Sequence, residues 1–188
     1  MKIVGLELKN GTDRETTICF LTDTIETTLI VQDDISLMKK VDEIHPDIVA
    51  IGSPLSLPLK GNTRKAEDEL SKRNLKFRIP KGMLAMEQLV MRGIELKSKF
   101  LSKGFLVIET FPNGFYDLIR VPRTNNYDEL KRFLKIFHLN LERREYTQEE
   151  LNAITSAFTG RLFLETKVEF LGDVNEGQIV LPRIISKM

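Results

Sequence analysis

Three short runs of apolar and β-branched residues open the chain, and polar turn residues separate them. The runs cover residues 2–9, 16–22 and 24–31. The links between them are as short as those of hairpins. The pattern therefore predicts an antiparallel meander of three strands.

The hydrophobic period changes after the third strand. Apolar residues then recur every three positions, at Ile35, Met38, Val41 and Ile44. Acidic residues precede this stretch and Pro46 follows it, which is typical of an amphipathic helix. The apolar run 47–53 comes next and predicts a strand buried on both faces.

The second half of the chain is predicted to be mostly helical. The predicted elements are a charged helix at 64–74, a helix at 82–103 with an apolar stripe at Leu84, Met91, Ile94 and Leu101, a buried strand at 105–110, a helix at 128–138, a helix from Thr147 to about Lys167 and a terminal strand QIVLPRI. Thr147 and Glu150 form a capping box, which marks a helix start. This order of elements is that of a ribonuclease H-like α/β fold. Such a fold has a five-stranded mixed sheet, the meander plus parallel strands, flanked by helices. Other α/β topologies remain open on pattern alone.

Composition narrows the class of protein. With 188 residues and 41% hydrophobic residues, the chain suits one domain spanning 1–188. We expect no membrane span, because no apolar stretch reaches roughly 20 residues. One cysteine and two histidines leave no internal disulfide and no zinc site of ordinary spacing. We therefore expect a cytoplasmic protein.

Charge is distributed unevenly along the chain. Residues 1–59 carry a net charge of −5, residues 60–103 one of +7 and residues 104–188 one of −1. The basic helical insertion at about 60–103 is either a solvated face or a surface that meets phosphate. Its candidate phosphate contacts are Arg64, Arg78, Lys81 and Arg92.

Several short motifs occur together in one order. They are IGSPLSLP at 51–58, IPKGM at 79–83, MRGIELKSKFLSKGFLVIETFP at 91–112, EELNAITSAFTG at 149–160 and LGDVNEGQIVLP at 171–182. Arg64 and the acidic cluster 67–69 lie between the first two motifs. Together they make the chain resemble the DUF429 family of predicted nucleases, over nearly its whole length. The resemblance implies a ribonuclease H-like fold.

The resemblance also implies a set of acidic site residues, and this chain keeps only part of it. Glu7 and Glu109 stand where the family pattern has acids at the ends of two strands, and Asp173 matches the acid of a late turn. The family pattern has aspartates where this chain has Gly52 and Asn152. Glu7 and Glu109 would then be the catalytic residues, and Glu7, Glu109 and Asp173 the ligands of Mg²⁺ or Mn²⁺.

Three functions follow as hypotheses. The first is a metal-dependent nuclease or phosphodiesterase, with Glu7 and Glu109 converging on the metal and water as the nucleophile. Two-metal hydrolysis needs several carboxylates, so Gly52 and Asn152 count against it. The second is an inactive module that binds nucleic acid or a nucleotide. The third is a site for another phosphate-bearing ligand, although the chain has no phosphate-binding glycine loop.

Overall fold

One mixed sheet of seven strands forms the centre of the molecule. The computed structural model describes residues 1–9, 14–75 and 84–183. The strands are β1 (Ile3–Leu8), β2 (Thr16–Leu21), β3 (Ile25–Val31), β4 (Ile48–Ile51), β5 (Val107–Thr110), β6 (Val168–Asp173) and β7 (Gly177–Pro182). Their order in the sheet is β3-β2-β1-β4-β5-β7-β6.

Strand pairing matches the predicted mixture of directions. The first three strands pair antiparallel, as the meander predicts. Strands β1, β4, β5 and β7 are neighbours in parallel. The predicted number of five strands is wrong. Residues 168–173 form the edge strand β6, which was not predicted because Glu169 interrupts its apolar residues and the strand directly follows the predicted helix.

In the part of the chain that the structure describes, six helices cover the sheet on its two faces. They are α1 (Asp34–Ile44), α2 (Lys65–Lys72), α3 (Leu84–Ser102), α4 (Pro112–Leu118), α5 (Tyr127–Ile136) and α6 (Gln148–Leu164). Helices α4, α5 and α6 share one hydrophobic core with one face of the sheet, and α1 and α3 share another core with the opposite face. Helix α2 packs on β6 and β7.

Helix α3 buries a different face from the predicted one. Leu84, Met91 and Leu101 of the predicted stripe are exposed, whereas Leu96 and Phe100 are fully buried. The predicted stripe overlooked Leu96 and Phe100, which lie four residues apart on one side of the helix. None of the helices within the described residues is both long and apolar enough to cross a membrane.

Candidate functional site

Helix α6 lies directly against the backbone of β1 because Gly5 has no side chain. A Cβ atom on Gly5 would lie 2.1 Å from the carbonyl oxygen of Ala153 and 2.7 Å from the Cβ of Ala157. Side chains alternate along a strand, so Glu7 projects from the same face as Gly5, toward α6. The Nδ2 of Asn152 on α6 donates a hydrogen bond to Oε1 of Glu7, at 3.0 Å.

Glu7 carries a buried carboxyl group with one unsatisfied oxygen. Its Oε2 is buried and has no hydrogen-bond partner among the described residues. Burial raises the pKa of Glu7 to about 8, the hydrogen bond from Asn152 opposes this rise, and the negative charge of Glu149 adds to it. A carboxyl with this pKa is mostly protonated, and so neutral, at pH 7.

The carboxyl of Glu7 occupies the space beside Gly52. Leu6 is in register with Ile51 across the parallel strands β1 and β4. The next residues, Glu7 and Gly52, therefore lie beside each other in one row across the sheet. A Cβ atom on Gly52 would lie 2.6 Å from Oε2 of Glu7 and 3.0 Å from Oγ of Ser156. A glutamate is one methylene longer than an aspartate, and here its end group fills volume that a side chain at position 52 would need.

Thr110 completes this row across the parallel strands. Ile51 is in register with Glu109, so Thr110 follows Gly52 on β5. The Oγ1 of Thr110 donates a hydrogen bond to Oγ of Ser156, at 3.0 Å. The carboxyl ends of β1, β4 and β5 therefore present Glu7, Gly52 and Thr110, of which only one is an acid.

Neutral polar side chains fix the amide that contacts Glu7. The Oδ1 of Asn152 accepts hydrogen bonds from the Tyr116 hydroxyl and from Nε2 of Gln148, both at 3.0 Å. Because these donors hold Oδ1, Nδ2 must face Glu7. The Tyr116 hydroxyl also receives a contact from Oγ1 of Thr155, at 3.2 Å. We call Glu7, Asn152, Tyr116 and Gln148 the Glu7 cluster.

Glu109 does not join the Glu7 cluster. Strand alternation places Glu109 on the opposite face of the sheet from Thr110 and Glu7, and its contacts agree. Both oxygens of Glu109 accept hydrogen bonds from the Arg64 guanidinium, at 2.7 and 2.8 Å, and Oε2 also accepts the backbone N–H of Leu55. The expected convergence of Glu7 and Glu109 on one metal is not found.

Two of the expected phosphate contacts are buried within the protein. Arg64 is fully buried and pairs with Glu67 as well as Glu109. Arg92 is 7% exposed and pairs with Asp34 at 2.8 Å. Neither guanidinium faces solvent, so the structure does not support an exposed phosphate-binding role for them. Arg78 and Lys81 lie outside the described residues.

Asp173 lies in a turn, far across the sheet from Glu7. It ends β6, the edge strand, and three strands separate β6 from β1. Its Oδ1 accepts the backbone N–H of Asn175 at 2.9 Å, as aspartate does in tight turns. Asp173 therefore shapes the β6–β7 hairpin and does not reach the Glu7 cluster.

The residues at this edge of the sheet do not fit a two-metal centre. Such a centre needs several carboxylates around two ions about 4 Å apart. Within residues 1–9, 14–75 and 84–183, no three His, Cys, Asp or Glu side chains are grouped as metal ligands would be. Glu7 is the one acid of its row, and burial raises its pKa to about 8 when no cation is bound. The site therefore lacks the negative charge that the predicted Mg²⁺ or Mn²⁺ site would need.

Comparison with solved structures supports the ribonuclease H-like fold. The chain is similar to Thermus thermophilus RuvC in complex with a Holliday junction substrate, with a TM-score of 0.56 and 9% identity over 88% of this chain and 96% of that one. A second Thermus thermophilus RuvC structure gives a TM-score of 0.53 and 10% identity over the same shares. No protein-family model and no curated protein matches the chain. Membership of DUF429 stays a prediction.

Sequence reasoning identified Glu7 and Asn152 but missed Tyr116 and Gln148, the other two members of the Glu7 cluster. Tyr116 lies in α4, which begins at Pro112 and was not among the predicted helices. Gln148 could have been found, because the capping box fixed the start of α6 and Gln148 is four residues before Asn152 on one helix face. Thr110 required the strand register, which the sequence does not show.

Proposed function

We propose that this chain binds nucleic acid at the carboxyl-terminal edge of its sheet and does not hydrolyse it through two metal ions. The single observation that carries the proposal is the composition of the hydrogen-bonded Glu7 cluster, in which Glu7 is the one acid. A ribonuclease H-like fold is combined there with one protonated carboxyl, an asparagine, a tyrosine and a glutamine. The proposal takes up the binding-module hypothesis in preference to the nuclease one.

Electrostatics argue against cleavage. Two divalent ions repel each other strongly at roughly 4 Å, and anionic ligands are what permits both to bind. The only other acid predicted for a central strand end, Glu109, is neutralised by Arg64 on the opposite face of the sheet. Ionising Glu7 itself would cost free energy, because the described residues supply one hydrogen bond to the carboxylate and no cation.

Binding is supported by the fold and by a basic segment close to the site. RuvC, whose fold is similar, has been solved with a Holliday junction substrate. Residues 120–144 contain seven Lys or Arg and three Asp or Glu, a net charge of +4. Arg120, Arg132, Lys135 and Arg143 of this segment are exposed. The predicted basic segment 60–103 is less suited to phosphate, because five of its nine described Lys and Arg residues form ion pairs with acidic side chains.

The test is a combined binding and cleavage assay. Fluorescently labelled single-stranded, duplex and four-way-junction DNA would be titrated with protein and then incubated with Mg²⁺ or Mn²⁺. We expect binding without cleavage. With three phosphate contacts, affinity should fall about 40-fold between 50 and 200 mM salt, because each neutralised phosphate releases counterions.

Matched variants separate the possible results. Arg132→Glu with Lys135→Glu on α5 should weaken binding, whereas Lys39→Glu with Lys72→Glu, exposed on α1 and α2, changes the net charge equally and should not. Absence of binding at low salt would contradict the proposal. So would metal-dependent cleavage that Glu7→Gln abolishes, since that result requires an ionised Glu7 and restores the nuclease hypothesis.

A further inference from the structure

A cavity of about 670 Å³ adjoins the Glu7 cluster. It is lined by the loop 124–127, by residues 144–146 and by Gln148 and Leu151 of α6. This volume is within the range of about 300–1,000 Å³ that small-molecule sites occupy. Nε2 of Gln148 donates to Asn152, which in turn donates to Glu7. The cavity wall is thus hydrogen-bonded to the site at the end of β1.

Aromatic rings make one wall of the cavity rigid. Tyr127 and Tyr146 stack with ring centroids 5.6 Å apart and planes 21° apart. The Arg144 guanidinium lies 3.7 Å above the Tyr146 ring, and the Lys131 ammonium lies 5.2 Å from the Tyr127 ring. Such cation–π contacts hold both rings in place. Tyr127 and Arg144 cover the Tyr146 ring, so the planar group that this wall offers to a ligand is the Arg144 guanidinium, on which a flat ring can stack.

One buried acceptor in the wall has no partner. Asn126 is fully buried, and its Nδ2 donates to the carbonyl oxygen of Pro122 at 2.9 Å. Its Oδ1 has no hydrogen-bond partner among the described residues. Buried polar atoms are nearly always paired in folded proteins, so an unpaired one calls for an explanation. A ligand N–H group that reached Oδ1, which is buried behind the cavity surface, would supply the missing donor.

The charge of the cavity is close to zero. Arg144 and the neighbouring Glu145 carry opposite charges, and Arg144 is already paired with Glu150 at 2.8 Å. The other lining side chains are hydroxyl, amide or apolar groups. A phosphate would gain little here, because it needs an excess of positive charge. A nucleobase is neutral, planar and rich in N–H donors, and so matches the wall, the acceptor and the charge.

We infer that this cavity holds one unstacked nucleobase of a bound strand, whose phosphates lie along the exposed cations of α5. The inference rests on the proposed function, since it specifies which part of the nucleic acid enters the fold. Extracting a base from a duplex costs a few kcal/mol, and that cost is smallest where the base is already unpaired. The protein should therefore prefer DNA that carries an unpaired nucleotide.

Three DNAs of one sequence test the inference by fluorescence anisotropy. They are a perfect duplex, a duplex with a one-nucleotide bulge, and the same bulge built with an abasic nucleotide, which keeps the backbone irregularity and removes the base. We expect the bulged duplex to bind at least about fivefold more tightly than the other two, the low end of what a base contact contributes.

Two variants tie the preference to the cavity. Thr124→Trp should fill the cavity and abolish the preference, whereas Thr63→Trp, at an exposed position in the loop before α2, should leave it unchanged. Asn126→Ala, checked for folding by circular dichroism, should reduce the preference by removing the acceptor.

The outcomes distinguish this inference from the proposed function. Equal binding to all three DNAs, or a bulge preference that survives Thr124→Trp, would overturn the base pocket and leave nucleic-acid binding standing. Binding to none of the DNAs at low salt would overturn both. A bulge preference that is lost in Thr124→Trp and kept in Thr63→Trp would support the inference.

Discussion

Replacing Glu7 with glutamine should make the protein more stable at alkaline pH. Glutamine keeps the shape of the side chain and an oxygen that can accept the Asn152 hydrogen bond, but it cannot ionise. In the folded protein the pKa of Glu7 is raised from 4.5 to about 8 by burial. The variant therefore isolates the cost of placing a carboxyl group in this site.

The sign of the effect follows from proton binding. Below pH 4.5 Glu7 is protonated in both the folded and the unfolded chain, so it carries no penalty. Between pH 4.5 and about 8 the unfolded chain releases the proton while the folded chain keeps it, and the free energy of unfolding falls as the pH rises. Above about pH 8 both states are ionised and the penalty no longer grows.

The magnitude follows from the size of the pKa shift. At 1.36 kcal/mol for each pH unit, the full penalty approaches about 5 kcal/mol. Between pH 5 and pH 8 the natural protein should lose about 3 to 4 kcal/mol relative to Glu7→Gln. This figure is a ceiling, since water entering around the carboxylate would lower it.

Urea denaturation of both proteins at pH 5, 6, 7 and 8 measures the effect directly. The difference between their free energies of unfolding should widen steadily with pH, and titration of the two histidines cancels in that difference. A difference that stays constant from pH 5 to pH 8 would refute the reasoning. Glu7 would then ionise normally in the folded protein, and the neutral cluster would not exist.

Two further predictions concern the same sheet edge and its opposite face. Gly52→Asp should destabilise the natural protein, because the new Cβ would lie 2.6 Å from Oε2 of Glu7. Adding Glu7→Asp, which shortens that side chain, should recover at least half of the lost stability. A double-mutant cycle by urea denaturation measures the coupling, and additive effects of the two substitutions would contradict the conclusion that both side chains need the same volume. Arg64→Met should cost about 3 to 5 kcal/mol by leaving Glu67 and Glu109 buried without a cation. Lys72→Met, exposed on the adjoining helix, is its control, and equal melting temperatures for the two variants would contradict the role of the ion pair.

The sequence predicted the positions of helices and strands better than it predicted which face of each element is buried. The three-strand meander, the strand at residues 48–51 and the start of α6 at Thr147 each had a local signal, namely alternation, a short apolar run and a capping box. Helix α4 has only seven residues, and its local signal is limited to the proline at its first position.

The candidate site could be predicted only in part, because its residues meet through register. Glu7 and Asn152 were both identified from the sequence and do meet in the structure. Glu109 was also identified, but successive side chains of a strand point to opposite faces of the sheet. Thr110, the residue after Glu109, therefore lies on the face of Glu7, and Glu109 lies on the other face. Arg64 looked like a surface cation, since no sequence pattern showed that two carboxylates would enclose it.

The close contact between Gly5 and α6 also has a consequence for how the chain folds during synthesis. Strand β1 is made before α6, and residues 9–147 separate these two elements, which touch in the folded state. Contacts between such distant segments form slowly. Until α6 has left the ribosome, the apolar residues of the meander that pack on α6 stay uncovered, and exposed apolar surface of this kind favours aggregation of a nascent chain.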